Sequence, residues 1–104
     1  MSVKAIAVAA PSREVAAAFN LQDPDERFMV ETMQRFHGED RLYRAHALKR
    51  IANDKGRVVV ELASFNPPKR PKRFLIIFWE VDTVSIGFKG CEGMQEARAV
   101  FDGL

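Results

Sequence analysis

One cysteine, Cys91, stands among 104 residues, so neither an internal disulfide nor a cysteine-rich zinc cage is available, and a reducing, intracellular setting is expected. With two histidines, His37 and His46, a metal site would have to rely on carboxylates, and none is expected. The longest apolar run, Phe74 to Trp79, is six residues, too short to span a membrane. The apolar start, Ala5 to Ala10, is shorter than the hydrophobic part of a signal peptide and reads as the first element of the fold. Also missing are a Gly-rich phosphate loop, a Gly-x-Ser-x-Gly elbow and any zinc-ligand spacing. These absences argue against a cofactor and, more weakly, against an enzyme. A cytoplasmic location follows, or a nuclear one in a eukaryote.

What is present is segregated charge. Residues 41–73 hold ten Lys and Arg against two acids, Asp54 and Glu61, a net of +8 in a chain whose total is +2. Residues 1–40 and 74–104 each net −3. The densest part is Pro67-Pro68-Lys69-Arg70-Pro71-Lys72-Arg73, where three prolines restrict the backbone and favour an extended connection. Such a segment suits a polyanion, because each Lys or Arg that meets a phosphate releases condensed counterions.

The periodicities predict one α+β domain: two N-terminal helices, an antiparallel meander of four strands and a closing C-terminal helix. A strand is expected over Val3 to Ala9, and Ser12 caps a first short helix with Val15, Ala16 and Phe19 along one side. Asp23 caps a second, with Pro24, Asp25 and Glu26 in its first turn, Phe28, Met29, Met33 and Phe36 as its apolar stripe, and Gly38 to close it. Residues 42–52 read as strand or helix; alternation favours strand, with Tyr43, Ala45, Ala47 and Ile51 on one face and Arg44, His46, Leu48 and Arg50 on the other. Asn53-Asp54-Lys55-Gly56 then predicts a hairpin turn. In Phe74 to Val81 both faces are apolar and need cover. Three helices on one face would leave the second for another copy of the chain, so a homodimer is expected.

Residues 43–104, as four strands and a helix with a basic strand connection, look like the layout of a family of transcriptional coactivators that bind single-stranded DNA as dimers. Taken whole, strand, two helices, strands and helix also resembles the small ribosome-dependent ribonuclease toxins. Both resemblances are topological, and no signature residue carries over from either.

The residues themselves point first to nucleic acid, DNA or RNA, gripped by backbone contacts from Lys69, Arg70, Lys72 and Arg73 with Arg44, Arg50 and Arg57. Phe65 and Phe74 beside the loop suit unpaired bases. The bland alternative is a solvated hairpin tip that keeps the apolar strand from aggregating. A second reading is a regulator that binds another protein, since Lys69-Arg70-Pro71-Lys72 fits a nuclear-import pattern and Pro68-Lys69-Arg70-Pro71 a PxxP motif. A third is a toxin-type ribonuclease using His46 and the arginines around it. His37 reads as a C-terminal helix cap, and Glu80 with Asp82 as a carboxylate pair lacking a third ligand.

Overall fold

The computed structural model describes residues 12–39, 43–54 and 56–104. Along these run α1 (Arg13–Ala18), α2 (Pro24–Glu39), β1 (Tyr43–Asn53), β2 (Gly56–Phe65), β3 (Arg73–Glu80), β4 (Ser85–Cys91) and α3 (Met94–Asp102). The strands form one antiparallel sheet in the order β1-β2-β3-β4, the expected meander. The strand expected over Val3 to Ala9 lies outside the described residues. No helix among them is long and apolar enough to cross a membrane.

Local chemistry accounts for the boundaries. Ser12 Oγ accepts from the Val15 amide to cap α1, and Asp23 Oδ1 accepts from the Asp25 and Glu26 amides to cap α2. Gly56 closes the first hairpin at φ +105°, a conformation that L side chains rarely adopt. α2 does not stop at Gly38 but continues to Glu39. Its buried stripe is Glu26, Met29, Val30 and Met33, while Phe28 is 48% exposed: consecutive Phe28 and Met29 lie about 100° apart around the helix and cannot both face the sheet.

Both faces of β3 are covered, but by different partners than expected. Val59, Ala63, Ile77 and Trp79 pack under α1 and α2, with Val15, Phe19, Met29, Val30 and Met33. On the opposite face Val58, Val60, Leu62 and Ile76 pack against Ala97 and Phe101 of α3. The three helices therefore do not share one face. The amphipathic spacing of Met94, Ala97 and Phe101 lets α3 fold back onto the side that a second copy was expected to cover.

Candidate nucleic-acid interface

Strand β1 carries the decisive irregularity. It pairs with β2 as Arg44 with Ser64 and Ala45 with Ala63, then skips to Ala47 with Leu62, so His46 is the extra residue of a β-bulge. Strict alternation puts Arg44 and Arg50 on one face; the bulge reverses the parity between them. Arg44 shares the α3 face with Ser64, whereas Arg50, opposite Val59, faces α1 and α2.

On the α1/α2 face the arginines meet acids. Arg50 donates to both oxygens of Glu26, which is 2% exposed, and to the Ala18 carbonyl. Arg57 reaches Asp23 at 2.8 Å, Glu26 at 3.2 Å and Asp82 Oδ1. The Arg50 guanidinium holds the Glu26 carboxyl below its usual range against the opposing effect of burial, and Arg57 does the same for Asp82. Asp82 Oδ2 also accepts from the Arg57 amide, and a Cβ added to Gly56 would lie 2.2 Å from that oxygen. Asp82 thereby engages Arg57, while Glu80 accepts from Ser85.

On the α3 face the cations meet one another. His46 Nε2 lies 2.7 Å from Oγ of buried Ser64, and partial burial of its ring lowers its pKa. The positive fields of Lys72, Arg44 and Arg98, from the loop, β1 and α3, act in the same direction. No ion pair among the described residues engages any of these three. Lys49, the charged residue in an otherwise apolar row, places Nζ 5.0 Å from the centre of the Phe101 ring. Sequence reasoning missed Arg98, whose only signal was a cation on the exposed side of the last helix.

The proline segment is a turn rather than an extended strap. The Arg70 amide donates to the Pro67 carbonyl at 3.4 Å, and Lys69 takes φ 60° at the third position, where a type II turn usually places Gly. A lysine held there stores backbone strain at an exposed tip. Lys72 then lies 5.8 Å from the Phe74 ring, on the α3 side, whereas Arg73 pairs with Phe65 and so belongs to the other face. Of the seven cations picked out from sequence, Arg44 and Lys72 lie on the His46 side of the sheet. Lys69 and Arg70 crown the adjoining turn, Arg73 lies beyond it, and Arg50 and Arg57 belong to the carboxylate network.

Known protein families, curated proteins and solved structures yield no match to this chain. The functional reading therefore rests on its own residues.

A second buried polar group was not foreseen. Glu61, fully buried in β2, accepts from Trp79 Nε1 at 2.8 Å and lies 2.9 Å from His37 Nε2. His37 thus ties the end of α2 to the sheet, and its ring stacks on Tyr43 with centroids 4.9 Å apart. Burial, with Glu61 beside it, raises the Tyr43 pKa. An acid alone in the apolar run Val58 to Ala63 was the available signal. Burial likewise raises the Cys91 pKa, with Glu96 adding to it, which disfavours a nucleophilic thiolate.

Proposed function

We propose that this protein binds the phosphate backbone of nucleic acid, DNA or RNA, through the α3 face and the adjoining turn. The observation that carries the reading is that Arg44 and Lys72 lie on the α3 side of the sheet with His46, that their fields and that of Arg98 act on its ring, and that none of the three has an ion-pair partner among the described residues. Cations that share one surface without a compensating acid repel one another, and a polyanion relieves that repulsion. Lys69 and Arg70, exposed at the turn, extend the surface. Phosphate contacts of this kind give affinity and register without base specificity. The direct test is binding of single-stranded DNA, duplex DNA and RNA across a salt series. Affinity should fall steeply with salt, and an Arg44→Ala/Lys72→Ala/Arg98→Ala variant should bind each at least ~10-fold more weakly. Unchanged binding by that variant would sink the proposal, and a partner retained from lysate after nuclease treatment would favour the protein-binding alternative.

A ribonuclease reading has one observation of its own. A histidine whose pKa is lowered by partial burial and by the fields of cations favours the neutral form that a base for a ribose 2′-hydroxyl needs, and those positive fields suit the charge that develops on phosphate. It requires that RNA be cut to products ending in a cyclic phosphate and that His46→Ala abolish the cutting. Intact RNA after prolonged incubation removes it.

A further inference from the structure

The two edges of the sheet are built differently. β1 is interrupted by the bulge at His46 and carries Arg44, Lys49 and Arg50, all features that discourage another strand from pairing. β4 is in unbroken register with β3 along its seven residues, from Ser85 to Cys91, and its only charge is Lys89. Ile86 and Phe88 are 37% and 56% exposed at this edge. Both point to the α1/α2 side, where the Phe36 ring lies 6.3 Å from that of Phe88. Just before them Val84 is exposed at φ 49°, an unusual conformation for a β-branched residue. Glycines weaken a strand, yet packing among the described residues explains neither Gly87 nor Gly90. A Cβ at Gly87 would meet only ordinary contacts, and one at Gly90 nothing within 4 Å.

We infer that β4 pairs antiparallel with β4 of a second copy, about a two-fold axis at Gly87, to make one continuous eight-stranded sheet. An antiparallel pair places opposite one another only residues that point to the same face, so the axis must pass through a residue. At Gly87 it sets Ile86 against the partner's Phe88, twice by symmetry, and buries the exposed apolar residues of the edge. On the other face it sets Ser85 against the partner's Lys89. Ser85 already donates to Glu80 Oε2 at 3.1 Å, and neither Glu80 nor Lys89 has an ion-pair partner among the described residues. The partner's Lys89 then lies two strand spacings from Glu80, about 10 Å between Cα atoms, which the two side chains can span. An axis at Phe88 would leave Ile86 against the partner's Gly90 and Lys89 against the partner's Gly87, with no such complement. The surface is self-complementary in the sense that a closed two-fold interface requires.

The axis runs perpendicular to the sheet, so both α3 faces stay on the same side. If the proposed backbone binding holds, the dimer offers two basic surfaces to one nucleic acid; the pairing itself does not depend on that reading. Sedimentation equilibrium without nucleic acid tests it. The wild-type chain should be a dimer at micromolar concentration, and Phe88→Lys should weaken dimerisation at least ~10-fold while leaving the circular dichroism spectrum unchanged. Lys89→Glu, which sets like charges near each other twice, should weaken it by a similar ~10-fold, and Glu80→Lys added to Lys89→Glu should restore it. A wild-type monomer at these concentrations, or a dimer indifferent to all three variants, would overturn the inference.

Discussion

The two faces of the sheet treat the same kind of residue in opposite ways. Under α1 and α2, Arg50 and Arg57 are matched to Glu26, Asp23 and Asp82, and Glu26 is buried beneath them. On the α3 face, the fields of Arg44, Lys72 and Arg98 act on one histidine, and no carboxylate is paired to them among the described residues. A matched network holds elements together, and an unmatched cluster leaves its field for a ligand. A net of +8 over residues 41–73 is therefore two different things: cement on one side and free charge on the other.

The comparison breaks most visibly at Glu26. Glu26→Ala removes the acid shared by two arginines, and about 2 kcal/mol of stability should be lost. This is less than a fully buried pair would lose, because Arg50 is 41% exposed and partly screened by water. Arg98→Ala should change stability by no more than about 0.5 kcal/mol. Urea titration of both variants checks the contrast, and equal losses would dissolve it. Next comes Gly56→Ala, which strains a positive φ and crowds Asp82; a loss of more than about 1 kcal/mol is expected in the same titration.

Acid separates the faces again. The folded-state pKa of Glu26 is lowered from 4.5, so as pH falls past that value the unfolded chain takes up a proton first. The stability from this group is present above about 4.5 and is lost as pH drops through the folded value. For His46 the pKa is lowered from 6.5, so the unfolded chain again protonates first and folding becomes slightly less favourable below that pH. A bound phosphate would reverse this preference, so nucleic-acid affinity should rise as pH falls below 6.5, and His46→Gln should flatten that rise. An affinity indifferent to pH in the wild type would separate His46 from the binding surface. At the turn, Lys69→Gly relieves a positive φ and should stabilise the fold by about 0.5–1 kcal/mol in a urea titration while removing one charge from the candidate interface.

The caps at Ser12 and Asp23, the hairpin glycine and the two-faced apolar strand are local signals, and each could be read from adjacent residues. The side on which α3 packs could not be, because Met94, Ala97 and Phe101 specify an apolar stripe and not the face of the sheet it meets. The site was half legible for a related reason. Charge density located the turn and Arg44, but one unpaired residue at His46 reverses every side chain beyond it, and alternation carries no mark of such an insertion. That reversal sends Arg50 to Glu26, and neither it nor the approach of Arg98 has a signature in the linear order of residues.

On the reading proposed above, free charge on the α3 face, and not the total charge of the middle segment, sets polyanion binding. The most direct measurement is the slope of log affinity against log salt for duplex DNA, compared between the wild type and Arg44→Ala/Arg98→Ala. Loss of two phosphate contacts should make the slope shallower by about 1.8, with the urea midpoint nearly unchanged. The same slope and affinity in both proteins would contradict the account.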